Sequence, residues 1–376
     1  MASGLSPFTP AYAVREDAAA GKSKSPTTLQ GEHINSHAKQ YPAPAQIRHK
    51  VHRARGISCC TPNREGNPDS MSKHWKKIRC RTGNPGSGRE QEVKHMLLGG
   101  TVTGEYHSPA EWETLLTASR FRAITAPFTC RTPRQEIEAY CEIIRRHGVR
   151  IAEIGVWKNL LDPDPDQAKE AMEFAKGQLA LGDELGIPCC VNIAGTSGPA
   201  GWDGADPSNY SEETYGRIIS DVREILDTVR PSRTDYTLEP MPWMIPDGPD
   251  VYLQLIRDVN RPHFAAHMDF VNMICSPRRY LGATAFIEEC FRKLAPYIRS
   301  THIKDSAMDL TRLTSFFSEC NPGEGGLDYV QILRIIDRYM PKDAPVLLEH
   351  MHTFKEYAAA YAYVEKKAME AGVSIT

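Results

Sequence analysis

From Met96 to Thr376, short β-rich runs alternate with longer amphipathic runs, and the alternation repeats eight times. The expected strands are Leu97–Val102, Ala123–Phe128, Arg150–Val156, Cys189–Ala194, Asp235–Glu239, Phe264–Asp269, Ile298–Ile303 and Val346–Glu349. Between them lie expected helices at Pro109–Ser119, Arg134–His147, Pro165–Leu185, Ser211–Val229, Asp250–Val259, Ala283–Leu294 and Asp328–Tyr339, with Phe354–Ala371 last. Strands parted by crossover helices pair in parallel. Eight such units in about 280 residues fit a closed (β/α)8 barrel of the TIM type better than an open doubly wound sheet. Ser108-Pro109, Thr132-Pro133 and Ser211 with Glu213 read as helix starts, and Gly148 and Gly186 as helix stops. No G-x-G-x-x-G follows the first strand and no G-x-x-x-x-G-K-[ST] occurs, so neither a dinucleotide fold nor a P-loop gains support.

Charge divides the chain at the same place. The total of 376 residues carries a formal net charge of −2. Residues 1–95 hold 16 Lys and Arg against 7 Asp and Glu, whereas the remainder holds 29 against 40. The basic part is rich in Ser, Pro, Gly and Asn and lacks a sustained apolar period. It cannot bury enough surface to offset chain entropy, so residues 1–94 are expected to be a disordered leader before a barrel spanning 95–376. A nucleic-acid tail, a targeting peptide and an over-long gene model ahead of Met96 are the competing readings of that leader. No window approaches the roughly 18 to 20 apolar residues that cross a bilayer. Ten cysteines are scattered without a paired C-x-x-C, which suggests neither a disulfide framework nor a structural zinc site and fits a reducing, cytoplasmic setting.

In a parallel barrel the reactive residues gather at the C-terminal strand ends, and here those ends are acidic. The third strand carries Glu153, the fifth ends in Glu239, the sixth reads His267-Met-Asp269, the seventh His302-Ile-Lys304-Asp305, and the eighth ends in Glu349-His350. Alternation puts His267 on the same face of its strand as Asp269, and His302 on the same face of its strand as Lys304. Carboxylates converging on one mouth repel each other unless a cation lies between them. Three carboxylates and one imidazole suit Mn²⁺, Mg²⁺ or Co²⁺, with Zn²⁺ admissible.

These residues resemble the xylose isomerase-like TIM-barrel superfamily, the sugar phosphate isomerase/epimerase group, over about Met96 to Gly372. Leu238-Glu-Pro-Met241, His302-Ile-Lys-Asp305, and Pro322-Gly-Glu-Gly325 with Asp328 following carry the resemblance. It implies one divalent ion held by Glu239, Asp269, His302 and Glu349. It also implies that Glu239 and Glu349 exchange a substrate proton from opposite faces, through a metal-stabilised cis-enediolate. One departure stands out: ketose epimerases of the group place a substrate-binding His three residues after the sixth-strand Asp, where this chain has Asn272. Asn hydrogen-bonds a hydroxyl but does not shuttle a proton near neutral pH.

Further substrate contacts are expected from Glu153, Asn192, Trp243, His267, Asn272, Lys304 and Arg278. Several have plain alternatives: Glu153 pairing with Lys158 or Lys304, His267 packing inside the barrel, Trp243 plugging its mouth, Arg278 lying on a solvated face. Asn192 is expected to line the pocket because alternation puts it on one face with Cys190 and Ala194. The resulting expectation is a metal-dependent sugar or sugar phosphate isomerase/epimerase acting on a small carbohydrate, with neither nucleic acid nor membrane as partner and a homodimer as the default assembly. A dehydratase or lyase of an inosose or keto-sugar uses the same site and differs by a product lighter by one water. An idle sugar-binding barrel is argued against by the intact acidic set, and a nuclease by the shortage of histidines and the acidic domain.

Overall fold

The computed structural model describes residues 95–341 and 343–376. The expected leader, 1–94, lies outside them. In chain order the elements are β1 (Leu97–Gly100), α1 (Pro109–Ser119), β2 (Ala123–Thr125), α2 (Arg134–Arg146), β3 (Arg150–Gly155), α3 (Pro165–Leu185) and β4 (Cys189–Asn192). They continue with α4 (Glu212–Val229), β5 (Asp235–Leu238), α5 (Pro249–Val259), β6 (Phe264–Asp269), α6 (Phe270–Met273), α7 (Pro277–Leu281), α8 (Ala283–Leu294) and β7 (Ile298–Ile303). The remainder is β8 (Asp305–Met308), β9 (Phe317–Cys320), α9 (Tyr329–Tyr339), β10 (Pro345–Leu348) and α10 (Phe354–Ala371).

Eight parallel strands close in the order β1-β10-β7-β6-β5-β4-β3-β2, the (β/α)8 barrel that the alternation implies. Several strands stop short of their expected ends, so Glu239 and Glu349 stand one residue past the ladder, where side chains are free to converge. The antiparallel hairpin β8–β9 and the short helices α6 and α7 after β6 went unforeseen.

Local chemistry sets the helix ends. The Ser108 and Ser211 hydroxyls accept from the Glu111 and Thr214 amides, a cap that is worth about 1 kcal/mol. Gly186, at φ 73°, ends α3 in the left-handed conformation that glycine adopts without a Cβ penalty. The start of α2 differs from expectation. Thr132 turns its hydroxyl back to accept from the Thr129 amide, and Pro133 occupies the cap position with no side-chain bond.

The main core lies between strands and helices and includes Ile124, Ile154, Cys190, Tyr236, Phe291 and Leu348. A second, small cluster of Ala123, Ala152 and Leu347 shares the inner face of the barrel with His302, which pairs with Leu347 across β7 and β10. Two register shifts, one between Ile124 and Thr125 against β3 and one between Ala266 and His267 against β7, re-aim the residues that follow them. The extra residues are Ala152 in β3 and Arg299 in β7, so Glu153 and Ser300 are turned onto the inner face, where they meet.

Candidate metal centre

Above the small apolar layer the barrel interior becomes polar in two tiers. In the lower tier Glu153 accepts from Ser300 Oγ at 2.6 Å and lies 3.0 Å from His302 Nε2. His267 Nε2 is 3.3 Å from the same carboxylate, and the His267 and His302 rings meet edge to face, centroids 4.1 Å apart at 80°. Burial alone would raise the Glu153 carboxyl, but the two imidazoles outweigh it and hold Glu153 below the usual carboxylate range.

The upper tier is made of Glu239, Asp269, His302 and Glu349, each offering one atom within 4.8 Å of the others. His302 spans both tiers. Its Nε2 faces Glu153 and its Nδ1 faces Glu349 Oε1 at 2.9 Å and Glu239 Oε1 at 3.7 Å. Asp269 Oδ2 is 2.8 Å from the Lys304 ammonium, and that ammonium also reaches Glu349 at 2.7 Å and Glu319 at 3.2 Å. Lys304 is fully buried, held charged by these carboxylates against the pull of burial.

One ammonium does not satisfy the tier. Asp269 Oδ2 and His302 Nδ1 have charged neighbours yet no hydrogen bond of acceptable geometry, both in sites sealed from water. Burial pushes Asp269 up to about 7, with Glu349 and Glu239 adding to the rise against Lys304. Glu349 moves the other way: His302, His350 and Lys304 overcome its burial and hold it well below the usual range. Crowded carboxylates with orphaned donor atoms are the electrostatic condition that a divalent cation relieves. The four residues fit such an ion, and the oxygen-rich donor set is the hard kind.

The other expected contacts divide. Asn272 lies in α6, its backbone amide donating to the capping Asp269 carboxylate, and its side chain donates to Glu239 Oε1 at 3.3 Å and to the Pro240 carbonyl at 3.0 Å, so it grips a member of the tier. Glu153 pairs with neither Lys158 nor Lys304, and its oxygens are taken by the lower tier. His267 is fully buried beneath the mouth, which is the packing alternative. Asn192 needs a correction. It does share a face with Cys190 and Ala194, but those two belong to the core under the helices. Its amide instead bonds the Lys158 amide and carbonyl, both at 3.0 Å, fastening the loop after β3. On the inner face of the same strand Cys189 Sγ meets Thr237 Oγ1 at 3.2 Å.

Trp243 is exposed, its indole donating to the Asp203 carbonyl at 2.7 Å, and so links the loops after β4 and β5. Arg278 lies exposed on α7, away from the tiers, while Arg279 donates to the Asp247 and Met273 carbonyls. Sequence reasoning missed Glu319. It comes from β9, bonds His350 at 2.7 Å, and lines a cavity of about 240 Å³ with Asn321, Glu324, Glu349, His350 and His352. A strand signal was present in Phe317-Ser-Glu-Cys320, but nothing in it said that the hairpin folds back over the mouth. Asp305 explains how it does. Its carboxylate accepts from the Ser306, Gly323 and Leu327 amides, pinning both feet of the hairpin. A Cβ at Gly325 would lie 2.3 Å from Asp305 Oδ1, so the close approach requires glycine.

Residues 121–367 match the family model described as xylose isomerase-like TIM barrel. Solved structures of the same architecture are similar. A xylose isomerase-like TIM barrel protein from Mycobacterium smegmatis in complex with magnesium is 17% identical, with a TM-score of 0.54 over 74% of this chain and 98% of that one. The 3-keto-D-glucoside 4-epimerase of E. coli is 13% identical, at 0.54 over 72% and 99%. The D-psicose 3-epimerase of Clostridium cellulolyticum H10, solved with D-tagatose, is 14% identical, at 0.51 over 74% and 96%. At these identities the likeness is one of fold. No curated protein matches the chain.

Proposed function

Since the chain belongs to the xylose isomerase-like TIM-barrel family, we propose that it is a divalent-metal-dependent isomerase or epimerase of a small sugar. The observation that carries this reading is the convergence of Glu239, Asp269, His302 and Glu349 within 4.8 Å. When bound there, Mn²⁺, Mg²⁺ or a similar ion acidifies a C–H beside a carbonyl and offsets the negative charge that develops on its oxygen. The protein supplies the rest. Glu239 and Glu349 come from β5 and β10, on different sides of the ring of strands, so a sugar lying between them meets a carboxylate on each face. One takes the proton and the other returns it, each worth on the order of 10²–10⁴-fold as a general acid or base. Asn272 orients Glu239, and Lys304 holds Asp269 and Glu349 in place.

The magnesium complex and the epimerases among the structural relatives support the class of reaction and of cofactor. A reducing, cytoplasmic setting suits the seven free cysteines of the described residues. The test is solvent exchange: with a ketose panel in deuterated water and Mn²⁺ present, the wild-type protein should place deuterium at the carbon next to the carbonyl. Glu349→Gln should abolish that incorporation, and retained exchange would overturn the assignment. A product lighter by one water would move the protein to the lyases with the same site.

A further inference from the structure

Glu153 is a fully buried carboxylate that the proton transfer does not use. An ionised carboxylate only accepts hydrogen bonds. At 3.0 Å from Glu153 Oε1, His302 Nε2 must therefore carry a hydrogen, since a bare lone pair there would face a negative oxygen. In a neutral imidazole this leaves Nδ1 as the lone-pair atom; Nδ1 faces Glu349 and Glu239 in the upper tier without hydrogen-bond geometry, and a cation seated between them is what lets its lone pair face those oxygens. The grip is itself braced: Ser300 Oγ holds the second Glu153 oxygen, and the His267 ring stands edge-on against the His302 ring and limits its rotation.

We infer that Glu153 is a positioning residue of the metal centre, which fixes the ring and tautomer of His302 so that Nδ1 is offered to the cation. The inference rests on the proposed metal site and assigns Glu153 to metal affinity rather than to substrate. Carboxylates behind a ligating histidine orient it and raise its basicity, and their loss weakens metal binding by roughly 10–100-fold. A rival arrangement exists in the same atoms, because Glu153, His267 and His302 could themselves surround a second ion. Neither His267 nitrogen has a hydrogen bond, which is the point in favour of that rival, whereas the Ser300 and His302 bonds already engage both Glu153 oxygens, which favours the orienting role.

Metal-free wild-type protein and Glu153→Gln, titrated with Mn²⁺ by calorimetry, give the test. The expected result is one Mn²⁺ per wild-type chain and a Kd raised roughly 10–100-fold in the variant, with circular dichroism unchanged. A Kd within twofold of wild type would overturn the inference and leave the proposed reaction standing. Two ions per wild-type chain, one of them lost in Glu153→Gln, would overturn it in favour of the second site. A wild-type protein that binds no Mn²⁺ would remove the metal reading and this inference together. Nitrogen NMR of His302 in wild-type protein loaded with Mg²⁺ decides the matter even where the variant fails to fold. A hydrogen on Nε2 is expected, and a hydrogen on Nδ1 would overturn the assignment.

Discussion

The two tiers inside the barrel share His302 and reach opposite electrostatic ends. In the lower tier one carboxylate faces two imidazoles and a hydroxyl, so its charge is stabilised from within the protein. In the upper tier three carboxylates share one imidazole and one ammonium, and Asp269 retains a proton up to about 7. Each tier keeps buried atoms without a hydrogen bond, both His267 nitrogens in the lower and Asp269 Oδ2 and His302 Nδ1 in the upper, but only the upper tier crowds three carboxylates together. Burial alone does not separate the two, since Glu153 and Asp269 are equally sealed. The ratio of acceptors to donors does.

The largest effect expected from breaking that contrast follows removal of an upper-tier carboxylate. Asp269→Asn takes away one charge that the cation pairs with. Uncoupling a buried ion pair costs roughly 3–5 kcal/mol. By that scale Mn²⁺ affinity should fall on the order of 10²–10⁴-fold, read by calorimetry. Proton competition is next in size. A cation at Asp269 has to displace its proton below pH 7, so Mn²⁺ affinity should fall by up to about tenfold for each pH unit below that point. In metal-free protein the sign is reversed. The raised Asp269 contributes stability that is complete below the ordinary aspartate range and is lost as pH rises through about 7. Asp269→Asn should flatten that part of the Tm profile against pH.

The smallest effect should come from outside both tiers. Asn192→Ala leaves the Lys158 amide and carbonyl without partners, which costs about 1–3 kcal/mol of stability. Chemical denaturation should show this loss while Mn²⁺ affinity stays within about threefold, since a threefold change is less than 1 kcal/mol. A variant of full stability but impaired metal binding would return Asn192 to the pocket.

Asn192 also marks where the sequence stops being legible. Period-two alternation groups it with Cys190 and Ala194, and the structure keeps that grouping. Alternation says nothing about which of the two faces looks inward, and a strand buried on both sides carries no polar edge to reveal it. The upper tier was readable because strand ends in a parallel barrel all open at one rim, so the count of strands already locates Glu239, Asp269, His302 and Glu349 together. The partners of Glu153 were not. His302 lies 149 residues away in sequence, and a register shift in β3 decides that Glu153 points to it. Glu319 depended on a hairpin whose return path is set by a side chain, Asp305, receiving backbone amides from distant turns.

That Asp305 buckle has a consequence for how such a barrel can be re-engineered. By tying the turn after β9 back to the start of β8, it fixes the base of the β8–β9 hairpin independently of its tip. The intervening segment, with Leu310, Leu313 and Phe316 exposed, hangs from a fixed clasp. Exchanges of length and composition between residues 309 and 316 are therefore expected to leave Lys304 and Glu349 in place, which would make the tip a cassette for grafted loops that reshape what enters the mouth.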